Sequence, residues 1–143
     1  MGFIMPKQYT AKTTYIEDDI FESVVDGQKL IMDTGSPEKR GQSPMELLLS
    51  AVSGCASVDV VEIIKKKRKD VTHFTVEVSA ERRDEPFPKI YTDIQLNFIL
   101  TSKDATEKDL QSAVELSMTK YCSVSGMLGA SANVTYSSKV ISV

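Results

Sequence analysis

Two cysteines, Cys55 and Cys122, are the side chains of this 143-residue chain best suited to covalent chemistry. As a working pair they define one reaction. A thiolate attacks a peroxide oxygen and becomes a sulfenic acid, and the second thiol then captures it as a disulfide. That chemistry requires no metal or organic cofactor. It does require a cation that lowers the pKa of the attacking thiol. Because His73 is the single histidine, the cation must be an arginine or lysine, and Arg40, Arg82 and Arg83 have the loop freedom to serve. The residues alone also admit a plainer reading: free cysteines pack as small buried hydrophobes, and arginines are mostly solvated surface charge.

Other motifs carry weaker chemistry. Asp33-Thr34-Gly35 matches the core of dimeric aspartic proteases, in which two carboxylates share a proton, but that fold is almost all β, so a plain turn is the better expectation. Glu46 has a structural role as a helix-capping acid. It stands nine residues before Cys55, which in a helix is about 2.5 turns and roughly 13 Å along the axis, on the opposite face. Glu46 therefore reaches a reactive thiol only by orienting an arginine or by arriving from another subunit. The run Lys65–Lys69 resembles a nucleic-acid patch, yet a helix terminus accounts for it and no aromatic platform accompanies it. One histidine and two cysteines exclude a multi-histidine metal site and a four-thiolate zinc cage.

These residues must be held by elements, and the helix that carries Cys55 is the clearest of them. Ser43-Pro44-Met45-Glu46 combines an N-cap, a proline at the first helical position and a capping-box acid. From Leu47 to Ile64 the helix is apolar around most of its circumference, so it must be buried on nearly all sides. It closes in lysines that meet the negative end of the helix dipole. Cys122 follows a second, amphipathic helix, capped by Thr106 and Asp109 and carrying Leu110, Ala113, Val114, Ser117 and Tyr121 at helical spacing. Gly126 and Gly129 end it.

Strands surround the two helices. Tyr9–Ile16, Ile20–Val25 and Lys29–Met32 read as an antiparallel meander with Asp26-Gly27 as a hairpin turn. A loop then occupies Asp33–Ser43. Phe74–Ala80 and Ile90–Leu100 alternate with period two, and Val134–Ile141 suggests a last strand. The order β-β-β-α-β-β-α-β predicts an α+β domain with an antiparallel sheet.

The hydrophobic content of 41% and charged content of 26%, with no repeat or linker, predict a single globular domain over residues 1–143. A net charge of -3 offers a nucleic-acid backbone no global attraction. Residues 1–7 lack the charged and apolar regions of a secretory signal, and Pro6 spoils a myristoylation match. The charge-free part of the long helix, Leu47–Val58, falls short of the ~20 apolar residues that cross a bilayer. A cytoplasmic protein with free thiols is the expectation, bound to neither membrane nor nucleic acid. One thin sheet covers one face of a helix this apolar, so a second copy of the chain is expected to cover the rest, as a homodimer.

The segment from Ser43 to Ala56, with Lys120-Tyr121-Cys122-Ser123-Val124-Ser125, resembles the OsmC/Ohr superfamily of osmotically inducible and organic-hydroperoxide-resistance proteins. Those proteins show an x-Pro-x-Glu helix start, a cysteine about ten residues on, and a second cysteine followed by Pro-x-Ser, where this chain has Ser123. The resemblance covers essentially the whole chain. It implies an intertwined homodimer with two interface sites, in which a dithiol of lipoyl or thioredoxin-like type recycles a hydroperoxide reductase that holds no cofactor. By motif, Cys55 matches the peroxidatic cysteine, Cys122 the resolving cysteine, and Glu46 the glutamate that positions an upstream arginine; Arg40 is the one arginine upstream of the helix. The alternative is a dimeric small-molecule-binding protein of the same fold, with the cysteines serving packing.

Overall fold

Asp26 and Gly27 both have positive φ, 49° and 74°, the backbone of a two-residue turn whose twist matches paired strands. They join β2 (Ile20–Val25) to β3 (Gln28–Asp33), and β1 (Lys12–Glu17) completes an antiparallel meander in the order β1-β2-β3. The computed structural model describes Gly2 and residues 4–143; Met1 and Phe3, within the stretch read above for targeting signals, lie outside the described residues. The chain forms two compact units, Met1–Leu48 and Leu49–Val143. In the first unit Ile20 and Asp33 are buried, whereas Tyr15, Ile16, Leu30 and Ile31 are exposed.

After β3 the chain turns back along itself. Met32 bridges Gln42 in parallel, and the Asp33 N–H donates to the Gln42 carbonyl at 3.2 Å. The Asp33 carboxylate holds this loop together. It accepts the amides of Gly35 (3.0 Å), Ser36 (2.8 Å) and Arg40 (2.9 Å) and the Ser36 hydroxyl. The Ser36 hydroxyl foremost, then the Arg40 and Ser36 amides, hold the Asp33 carboxyl well below the usual carboxylate range. A carboxylate so fully engaged in its own loop is the turn expected of Asp33-Thr34-Gly35, not half of a proton-sharing pair.

The long helix α1 (Pro44–Lys66) begins with the expected capping box. The Ser43 N–H donates to Glu46 Oε1 at 3.0 Å, and the Glu46 N–H donates to Ser43 Oγ at 3.2 Å. The helix passes from the first unit into the second. Taken whole it is long and apolar enough to cross a membrane, contrary to the expectation from its charge-free part alone, because Asp59 and Glu62 interrupt the charge-free run without ending the apolar pattern. Val52, Ala56, Val60 and Ile64 form a fully buried stripe at i, i+4 spacing. Burial on nearly all sides is not reached within one chain. Val58, on another face, is 67% exposed.

The second unit continues with β4 (His73–Arg82), β5 (Tyr91–Ser102), α2 (Glu107–Leu116), a π-helical turn (Ser117–Tyr121), α3 (Ser123–Leu128) and β6 (Asn133–Ser142). β5 is the central strand. Its Ile94, Leu96, Phe98 and Leu100 are fully buried, and with the α1 stripe and Leu110, Ala113 and Val114 of α2 they supply the core. β4 pairs β5 antiparallel as predicted, but β6 pairs β5 in parallel, with Asp93 opposite Asn133 and Ser102 opposite Ser142. The sheet is therefore mixed, not antiparallel throughout. The reason is topological: the two helices and the turn between them form a crossover that returns the chain to the end where β5 began, and such crossovers produce parallel pairs.

Candidate functional site

α1 places Cys55 and Asp59 one turn apart on the same face. Both are partly exposed. Facing them is the irregular end of α2. There the helix widens into the π turn, so that the Cys122 N–H donates to the Ser117 carbonyl at 2.7 Å. Single π turns of this kind recur at functional sites. Ser117 is fully buried, and its hydroxyl donates to Asp59 Oδ2 at 2.9 Å, linking the two helices.

Cys122 then leaves the helical conformation and becomes the N-cap of α3. Its Sγ accepts the Ser125 N–H at 3.4 Å, and the Ser125 hydroxyl donates to the Cys122 carbonyl at 3.1 Å. Ser123 thus occupies the first helical position, the one at which proline is most readily accepted. A serine at that position therefore leaves the Cys122 cap in place.

The two thiols meet. Cys55 Sγ, Cys122 Sγ and a carboxylate oxygen of Asp59 all lie within 4.8 Å of one another, and both cysteines are free. Cys122 is buried, and that burial pushes its thiol pKa up; Ser125 pulls it back in part, while the neighbouring Cys55 raises it further. One sulfur is thus open to reagents from solvent, and the other is held protonated within the fold.

The other residues singled out from the sequence are engaged elsewhere. Besides closing the capping box, the Glu46 carboxylate pairs with Lys39. Lys39 first, then the Ser43 groups, lower its pKa to about 2. The partner found for Glu46 is thus a lysine rather than an arginine. Arg40 reaches Glu17 at 3.3 Å, and the Arg82 and Arg83 guanidinium groups donate to the carbonyls of Lys89 and Pro88 at 2.6 and 3.0 Å. His73 bonds Thr75 at the start of β4. Asp59 and Ser117 were not anticipated as site residues. The signal for Asp59 was present as the lone acid between Val58 and Val60, one helical turn beyond Cys55.

Residues 35–137 match the sequence profile of the OsmC-like protein family. The chain belongs to that family. Among curated relatives, Protein YhfA of Escherichia coli K12 is 43% identical over 115 residues, covering 80% of this chain and 84% of YhfA. A solved hypothetical protein of Aquifex aeolicus is 30% identical with a TM-score of 0.81, covering 95% of this chain and 99% of that one. The organic hydroperoxide resistance protein OhrB of Bacillus subtilis shares the fold at 18% identity and a TM-score of 0.62, covering 91% and 98% of the two chains. The two-sheet α+β architecture described above is therefore an OsmC-like fold, and the cysteine pair sits within the matched residues.

Proposed function

We propose that this OsmC-like protein is a thiol-dependent peroxidase that reduces hydroperoxides, organic ones included. The observation that carries the reading is the approach of Cys55 and Cys122 to within 4.8 Å, one partly exposed and one buried. The Cys55 thiolate attacks the distal peroxide oxygen, the O–O bond breaks, and the alkoxide leaves as the alcohol after taking a proton. Cys55 is now a sulfenic acid. Cys122 attacks its sulfur, forming the disulfide and releasing water. An external dithiol, lipoyl-type or thioredoxin-like, exchanges with the disulfide and restores both thiols. Glu46, held by the capping box and Lys39, is assigned to positioning a cation for the site rather than to proton transfer.

The working unit is assigned as a homodimer of single domains spanning residues 1–143, because one chain leaves much of α1 and the β1–β3 meander uncovered. The cytoplasm is the compartment that keeps both thiols reduced. The decisive experiment is consumption of cumene hydroperoxide under a dithiol by wild type and Cys55→Ser. Turnover in the wild type that Cys55→Ser abolishes is expected. Equal turnover by the two rejects the reading in favour of a binding protein whose cysteines serve packing.

A further inference from the structure

Too few histidines and cysteines are present for an all-histidine or all-thiolate zinc site, yet a mixed site is assembled. Two sulfurs and a carboxylate oxygen, from Cys55, Cys122 and Asp59, lie within 4.8 Å of one another. Tetrahedral zinc holds thiolate at ~2.3 Å and carboxylate at ~2.0–2.2 Å, which sets its ligand atoms roughly 3.5–3.8 Å apart. The three donors are therefore at most about 1.3 Å too far apart, whereas an S–S bond of ~2.05 Å demands a larger movement of the two sulfurs. The resting geometry is closer to metal coordination than to a disulfide.

A second observation concerns orientation. The hydroxyl of fully buried Ser117 donates to Asp59 Oδ2 at 2.9 Å, the kind of hydrogen bond that fixes a ligating carboxylate from behind. Cys55 and Asp59 ride on one regular helix, so their separation is set by the backbone. A cavity of about 310 Å³, lined by Asp59, Glu62, Ile63, Lys66, Leu116 and Tyr121, borders the residue that supplies the carboxylate.

We propose that Cys55, Asp59 and Cys122 bind a thiophilic divalent cation, Zn²⁺ or Cd²⁺, one per chain, with solvent completing the coordination. Both thiols lose their protons on binding, and the three anionic donors leave the occupied site with a net charge of -1. Because the metal takes the sulfur that would meet an oxidant, occupancy shields Cys55 from electrophiles. The site stands on the geometry of the three donors and does not depend on peroxidase activity.

The test uses the reduced full chain, with Zn²⁺ titrated in competition with a chromogenic chelator and Cd²⁺ followed by its thiolate charge-transfer absorption. One equivalent should bind, and Cd²⁺ should show the thiolate band. Asp59→Asn, which can still accept the Ser117 hydroxyl, and Ser117→Ala should each weaken Zn²⁺ binding by roughly 10- to 100-fold. His73→Ala should leave it unchanged. Zn²⁺-saturated protein should be alkylated at Cys55 by iodoacetamide at least tenfold more slowly than metal-free protein. Unchanged affinity in Asp59→Asn, a Cd²⁺ complex without the thiolate band, or loss of binding in His73→Ala would overturn the assignment. Failure of the peroxidase assay leaves each of these readouts intact.

Discussion

A buried thiol that stays protonated is a poor first nucleophile but a competent second one, and in the proposed reaction this asymmetry sets Cys55 before Cys122. Burial raises the pKa of Cys122, while Cys55 is partly open to solvent. Replacing Cys122 by serine should therefore leave the first oxidation intact and block its resolution. One equivalent of peroxide should convert Cys122→Ser to a sulfenic acid at Cys55, visible by mass spectrometry as a dimedone adduct absent from the wild type. A dimedone adduct on Cys122 in Cys55→Ser, formed at the wild-type rate of oxidation, would reverse the assignment. The neighbouring residue gives an independent check. Ser123 is the first residue of α3, where proline removes only an N–H that the helix does not use. Ser123→Pro should keep or raise the melting temperature, and a clear fall measured by calorimetry would show that Cys122 is not capping that helix. At this scale the cysteine pair was legible in the sequence because cysteine is scarce, two in 143 residues. Asp59 was not, since one of three acids on an apolar helix shows its value only when Ser117 and two sulfurs are found around it.

The elements were legible where local chemistry decides them and misread where a distant partner decides. Ser43-Pro44-Met45-Glu46 and Thr106 with Asp109 declare two helix starts in their own residues, and both capping boxes form. Asp26-Gly27 declares its turn in the same way. The direction of β6 carries no such local mark, because Val134–Ile141 has the same alternation whether it pairs up or down the sheet; only the route of the α2–α3 crossover settles it. The α1 cap yields a pH prediction. Glu46 is lowered from 4.5 to about 2 in the folded chain, so its contribution is fully present above pH 4.5 and fades as pH falls through 2. Thermal melts of wild type and Glu46→Gln should differ at pH 7, with the variant less stable, and should converge as the pH approaches 2. A gap independent of pH would mean that the Glu46 charge contributes nothing through Ser43 and Lys39. The loop before this cap imposes a steric demand of its own. A Cβ added at Gly41 would overlap the Ile31 carbonyl oxygen and lie 3.0 Å from its carbon. Both are backbone atoms, so Gly41→Ala should cost about 1–3 kcal/mol by overpacking, read from urea unfolding.

For the whole molecule, the balance of apolar surface remains unfinished within one chain. α1 buries one stripe and leaves Val58 67% exposed, and Tyr15 and Ile31 of the meander are uncovered as well. Burying a side chain such as valine contributes about 1.5 kcal/mol or more, so a self-complementary contact across α1 gathers several such terms at once. The sequence announced this imbalance through a helix apolar on nearly every face, and the single chain leaves it in place. Gly54 fits the same picture, since nothing lies within 4 Å of where its Cβ would stand; a glycine that weakens a helix by about 1 kcal/mol relative to alanine is accounted for if another backbone approaches there. The expected outcome in analytical ultracentrifugation is the mass of two chains for the wild type. Val58→Asp places a charge on that face without touching the core of the chain that carries it, so the variant should sediment as one folded chain with an unchanged circular-dichroism spectrum. A wild type that sediments as one chain at micromolar concentration, or a Val58→Asp variant that still pairs, would mean that α1 is covered by something other than its own copy.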